Sequence, residues 1–141
     1  MNHERILAVD YGSKRIGLAV TDPLGYTVQP LPYVPRRSRR QALSELVRVA
    51  GEKSVRRIVV GLPKSLDGTL GPKARECTNF ADQLGVESGL PVELFDERFT
   101  TAEAERILIE ELDVSRERRK HVRDSLAACL LLESYLKAKD A

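Results

Sequence analysis

The stretch "ILAVDYGSKRIGLAV", residues 6–20, constrains the fold of this chain more than any other. Two short apolar runs, "RILAVDYG" and "RIGLAVTD", lie on either side of a polar turn around Gly12 and Ser13. Runs of this length, apolar at consecutive positions, predict buried strands, and a connection this short predicts that they pair as an antiparallel hairpin. One carboxylate, Asp10, stands at the end of the first run, at the centre of the fold. A buried charge is costly unless it finds a partner, a proton or a metal.

The rest of the chain builds outward from this hairpin. "YTVQPLPYVPR" alternates more weakly and carries three prolines, which predicts a third strand at a sheet edge, where a missing N–H is tolerated. Leu43, Leu46, Val47 and Ala50 recur at helical spacing between Ser38 and Lys53, with Gly51 expected to mark the end. "VRRIVVGLP" predicts a fourth, buried strand. A glycine-rich loop, "SLDGTLGPKA", then leads into a helix expected over Pro72–Gly85, with proline in its first turn.

"PVELFDERF" predicts the fifth strand, and Thr100 with Glu103 forms a capping box for a helix over 101–111. A last helix is expected over 122–138. The order β-β-β-α-β-α-β-α-α implies an α/β fold: a mixed five-stranded sheet, three antiparallel strands followed by two parallel ones, flanked by helices. At 141 residues, with no repeat or linker, a single domain over 1–141 is expected.

Charge excludes little in sum, since 23 Lys and Arg against 21 Asp and Glu leave +2. Its placement is uneven. "RRSRR" (Arg36 to Arg40) holds four arginines, and "RERRKHVR" (Arg116 to Arg123) holds five Lys and Arg plus His121 against one glutamate. Such runs are usually solvated surface, but placed beside an acidic site they supply phosphate affinity independent of sequence. Seven aromatics and no Trp argue against base stacking and for recognition of backbone or shape. Two cysteines, Cys77 and Cys129, give no disulfide framework or metal spacing, and no run approaches the roughly 20 apolar residues of a membrane span. A cytoplasmic protein is expected.

Three regions carry candidate acids. Asp10 ends the first strand, at the sheet edge where sites form in folds with parallel crossovers; its structural alternative is a turn acceptor for N–H groups near Gly12. Asp96 and Glu97 end the fifth strand, and alternation allows only one of them to share the face of Asp10. Asp124 precedes "SLAACLLL", a segment apolar around nearly its whole circumference, with Ala127, Ala128 and Leu131 expected on its own face; its alternative is a favourable helix-dipole position. Acids brought together at one edge repel unless cations sit among them. Hard oxygen ligands suit Mg²⁺ or Mn²⁺, and a pair of ions about 4 Å apart activates water and stabilises the leaving oxygen in phosphodiester hydrolysis.

"LAVDYGSKRIGLAV", "GLPKSLDG", "DERFTTAEAE" and "RDSLAACLLLESYL" together resemble the YqgF (RuvX) family, described as pre-16S ribosomal RNA nucleases and relatives of the Holliday junction resolvases. The resemblance spans nearly the entire chain and implies the RNase H-like fold. It places the family's catalytic and metal-binding acids on Asp10, Glu97 and Asp124, with Gly12, Asp96, Thr100 and Thr101 in support. It also matches Gly17 and, as cations expected to meet phosphate, Lys14, Lys64 in its loop, and Arg98; Arg119, Lys120 and Arg123, in the basic run directly before Asp124, are expected to add nucleic-acid contacts. One departure stands out: the related resolvases take an acid from the fourth strand, but "IVVGLP" has none, so the site must be reached from the fifth.

The function implied is metal-dependent endonucleolytic maturation of the 5′ end of pre-16S rRNA, with structured RNA or a ribosomal particle as partner and the chain a monomer or weak homodimer. Cleavage of branched DNA and non-catalytic nucleic-acid binding are the alternatives. "DYGSKRIG" also resembles the phosphate hairpin of actin-like ATPases, but those close two lobes around nucleotide and this chain is too short for two.

Overall fold

The structure, a computed structural model, describes residues 4–63, 71–96 and 116–140, and for 116–124 and 140 the backbone only. Strands β1 (Ile6–Tyr11), β2 (Arg15–Thr21) and β3 (Val28–Pro35) precede helix α1 (Arg39–Glu52); β4 (Arg57–Leu62), α2 (Pro72–Ser88), β5 (Val92–Asp96) and α3 (Arg116–Asp140) follow. The sheet runs β3-β2-β1-β4-β5. β2 is antiparallel to β1 and β3, whereas β1, β4 and β5 are parallel. This is the expected mixed sheet, with the proline-bearing strand at its edge.

Alternation along the strands divides the core in two. Leu7, Val9, Ile58 and Val60 face α1 and α2, where they pack with Leu43, Leu46, Phe80 and Leu84. Ile6, Ala8, Ala19 and Val59 face α3, under Ala128, Cys129, Leu131, Leu132 and Tyr135. Each fully buried Leu or Phe contributes roughly 1.5–3 kcal/mol. The two alanines of the central strands let α3 lie close to the sheet.

Several boundaries differ from expectation. α1 runs through Gly51 to Glu52, and α2 continues past Gly85 to Ser88, because the real stop of α2 is Gly89, in the left-handed region at φ 70°. An interior glycine costs about 1 kcal/mol, which the buried face containing Phe80 and Leu84 outweighs. α3 begins at Arg116, so the basic run is itself helical, and the helix is kinked at Ser125 (φ −129°, ψ 23°). Leu126 and Ala127 are exposed, so the segment after Asp124 is apolar on one side rather than buried all round. The helix expected over 101–111 and its capping box lie outside the described residues. No described helix is long and apolar enough to cross a membrane.

Candidate active site

Asp10 lies on the sheet face covered by α3, since it continues the series Ile6, Ala8. Its neighbours on both sides lack side chains. On β2 it is paired with Gly17. On β4, Val9 is level with Val60, and Gly61 pairs onward with Phe95 of β5, so Asp10 is level with Gly61. Two glycines thus leave a notch around one half-buried carboxylate, at the rim where β1, β4 and β5 all end.

The loop beside Asp10 is tightly held. The Gly12 N–H donates to the carbonyls of Asp10 (3.0 Å) and Arg15 (3.1 Å). A Cβ on Gly12 would stand 2.5 Å from the Arg15 oxygen, so the turn closes only around glycine. Arg36 braces it: Nη1 donates to the Gly12 carbonyl at 2.9 Å, the guanidinium lies 4.1 Å from the centre of the Tyr11 ring, and Nη2 pairs with Glu76. Tyr11 in turn stacks on Phe80 of α2. Beneath the turn is a cleft of about 220 Å³ whose walls include Asp10, Gly12, Arg36, Pro63, Lys73 and Glu76.

Of the two candidate acids at the end of the fifth strand, the structure describes Asp96. Phe95 packs on the α3 side. Asp96 is level with Leu62, which packs with Ala74 and Cys77 under α2, so Asp96 belongs to the face opposite Asp10. Glu97, Arg98, Thr100, Thr101 and Lys64 lie outside the described residues. Asp124, Arg119, Lys120 and Arg123 are on α3, where the backbone alone is described. Lys14 is exposed at the turn.

α3 is fixed to the sheet beside this notch. Ser125, 1% exposed, accepts from the N–H of Leu18 at 3.2 Å and donates to the carbonyl of Leu31 at 2.8 Å. Leu18 directly follows Gly17, the partner of Asp10, so the residue after Asp124 in the chain is tied to the strand that faces Asp10. Farther along, the Cys129 thiol is pushed up to about 12, by burial first and then by Glu133, which leaves it an inert part of the core.

Among the described residues no three carboxylate, His or Cys side chains gather to hold an ion. Asp10 nonetheless fits a hard divalent cation, as a rim carboxylate bordered by glycines. Sequence reasoning missed Arg36, Glu76, Gly61 and Ser125. A glycine at the end of an apolar strand was the one available signal, for Gly61; the other three act through partners far away in sequence.

Residues 4–138 match the family described as RuvX: Holliday junction resolvase. A protein of Symbiobacterium thermophilum named "Putative pre-16S rRNA nuclease" is 47% identical over 137 residues, 97% of this chain and 94% of the relative. Among solved structures, T. thermophilus RuvC in complex with a Holliday junction substrate superposes with a TM-score of 0.65 at 16% identity, over 99% of this chain and 98% of that one. The fowlpox virus resolvase in complex with Holliday junction DNA gives 0.61 at 14% identity, over 96% and 98%. These two likenesses establish the resolvase-type, RNase H-like fold.

Proposed function

This chain belongs to the RuvX family of Holliday junction resolvases and is a nuclease, and from that premise we propose that it is a metal-dependent endonuclease acting in the cytoplasm on ribosomal RNA precursors, as a single domain. The observation that carries the site is Asp10 at the strand rim, with glycines on both flanks and Ser125, the residue after Asp124, bonded to Leu18 of the adjoining strand. Glu97 completes the set. The family resemblance assigns it this role, and Asp96, level with Leu62 on the face opposite Asp10, does not compete for it.

The spacing of strands supports a glutamate at this position. β1 and β5 are separated by β4, hence by two spacings or roughly 10 Å. Gly61, with no side chain, leaves the intervening space open to a carboxylate arm one methylene longer than aspartate. The acid that the related resolvases take from the fourth strand is thereby replaced from the fifth.

Asp10, Glu97 and Asp124 would hold Mg²⁺ or Mn²⁺, which when bound supplies an activated water and stabilises the leaving oxygen. The chain's own part is to hold these oxygens rigidly and to seat the phosphodiester backbone. Lys14, on the exposed turn, is placed to neutralise phosphate next to the notch, with Lys64, Arg98, Arg119, Lys120 and Arg123 extending the contact along the strand. Gly12 closes the turn next to it, and Asp96, Thr100 and Thr101 enter this reading as supporting residues by the family resemblance alone. RNA is preferred over DNA because the relatives are named for pre-16S rRNA; the family description favours branched DNA as the second reading.

The test is incubation of pure protein with pre-16S rRNA and with four-way DNA junctions, with and without Mn²⁺. Cleavage of the RNA is expected only with metal. Asp10→Asn, Glu97→Gln and Asp124→Asn should each lower it by roughly 10³-fold or more, as several kcal/mol of transition-state stabilisation are lost. The folds should stay intact or become slightly more stable without metal, because a repelling charge is gone. Binding without cleavage, unchanged in Asp10→Asn, would leave a binding module instead. Cleavage of junctions alone would select the DNA reading.

A further inference from the structure

We propose that Ser125 is a positioning residue for Asp124, acting by inserting its hydroxyl into the β2–β3 ladder; this rests on the reading of Asp10, Glu97 and Asp124 as the metal-binding acids. β2 and β3 lose register between Ile16 and Leu18, and Leu18 faces Leu31 beyond the irregularity. There the helix links the two strands. The Leu18 N–H donates to the Ser125 oxygen, and the Ser125 hydroxyl donates to the Leu31 carbonyl. A helix side chain thus takes the place of a ladder bond, and both of its hydrogen-bonding roles are used in a site that is 1% exposed.

The consequence lies one residue upstream. α3 departs from helical geometry only at Ser125 among its backbone positions, which is where a side chain ties the helix to the sheet. That tie fixes the direction in which the preceding segment, beginning with Asp124, leaves the sheet, and it is made to Leu18, the residue after Gly17, the partner of Asp10. A small sheet surface of Ala8, Ala19 and Gly17 sets how closely α3 approaches, and the hydroxyl sets its register along the strands. A carboxylate carried on this segment keeps its distance to Asp10 only while the register holds.

The experiment compares wild type with Ser125→Ala, Ser125→Thr, Ser125→Cys and Ser134→Ala. Ser134 is buried on the same helix, and its hydroxyl has no partner among the described residues. Mn²⁺ affinity is read without turnover, from the electron paramagnetic resonance signal of the free ion, and kcat and KM are measured on pre-16S rRNA. Loss of a group bonded to a metal ligand typically costs 10- to 100-fold, and Ser125, which bonds the sheet and acts on Asp124 through the backbone, belongs at the low end. Ser125→Ala should therefore bind Mn²⁺ roughly 10-fold more weakly and lose a similar factor in kcat, with KM changed by less than about twofold.

Ser125→Thr should restore both, and Ser134→Ala should change neither. Wild-type Mn²⁺ affinity and kcat in Ser125→Ala overturn the proposal, as does an equal loss in Ser134→Ala. If Ser125→Ala does not fold, Ser125→Cys, which fills the same space with a weak hydrogen-bonding group, decides by the same two readings. Failure of both to fold also overturns it, because the hydroxyl is then a pillar of the fold. Asp124→Asn separates the premise: undiminished cleavage in that variant removes the three-acid site, whatever Ser125 does.

Discussion

Asp22 shows how a single side chain on this scaffold stores pH-dependent stability. Its Oδ1 accepts from the N–H groups of Tyr26 (2.6 Å) and Thr27 (2.8 Å), closing the loop between β2 and β3. The bond from Thr27, foremost, holds its carboxyl below the usual carboxylate range against a smaller opposing effect of burial. A carboxyl whose pKa is lowered on folding stabilises the folded state above its unfolded value, and that contribution disappears as pH falls through the lowered value. Asp22→Asn should accordingly weaken the loss of thermal stability as pH falls through and below the ordinary carboxylate range of about 4. Asp22→Ala should cost about 1 kcal/mol at neutral pH, as loss of a capping oxygen does. Melting curves across this range check both, and an unchanged acid limb in Asp22→Asn would show that the two bonds carry no linkage.

At the scale of elements, the hairpin of β1 and β2 is the part the amino-acid pattern made plainest. Its two strands are apolar, its turn is one glycine followed by two polar residues, Gly12, Ser13 and Lys14, and Asp10 ends up where the run ends. The turn is also the least tolerant element. Gly12→Ala puts a methyl group 2.5 Å from the backbone oxygen of Arg15, and a backbone atom cannot swing away as a side-chain tip can. The hairpin must open, at a cost of about 1–3 kcal/mol, and the Gly12 carbonyl must then move off Arg36. Thermal melting should register that loss, and cleavage should fall with it because Asp10 is two residues away; a Gly12→Ala protein with wild-type melting would contradict the clash. Helix ends were harder to foresee. Gly51 and Gly85 look like stops in sequence, but the left-handed residues that follow the two helices are Ser54 (φ 55°) and Gly89 (φ 70°), and φ follows from where the chain must go next. The kink at Ser125 was out of reach, since the side chain there bonds to Leu31, 94 positions away.

For the whole molecule the decisive quantity is where charge is displayed, because +2 in sum says little about phosphate. Clustering of arginines in "RRSRR" was evident from sequence; the division of labour within it was not. Arg36 is committed inward, to Gly12, Tyr11 and Glu76, which leaves Arg37, Arg39 and Arg40 exposed. They sit where β3 gives way to α1, and the Arg36 N–H bonds to the Lys14 carbonyl, so the exposed trio begins beside the turn that carries Asp10. Substituting Arg37, Arg39 and Arg40 together by alanine should therefore weaken binding of RNA and DNA alike and reduce the salt slope by about 0.7–0.9 for each phosphate the protein no longer neutralises. kcat at saturating substrate should hold, since none of the three belongs to the notch. Arg36→Ala should do the reverse, lowering melting temperature and kcat through the turn while leaving the salt slope near that of wild type. A salt titration of binding beside a melting curve separates the two, and a salt slope unchanged in the triple variant would move the nucleic-acid track away from this end of α1 and onto the basic run of α3.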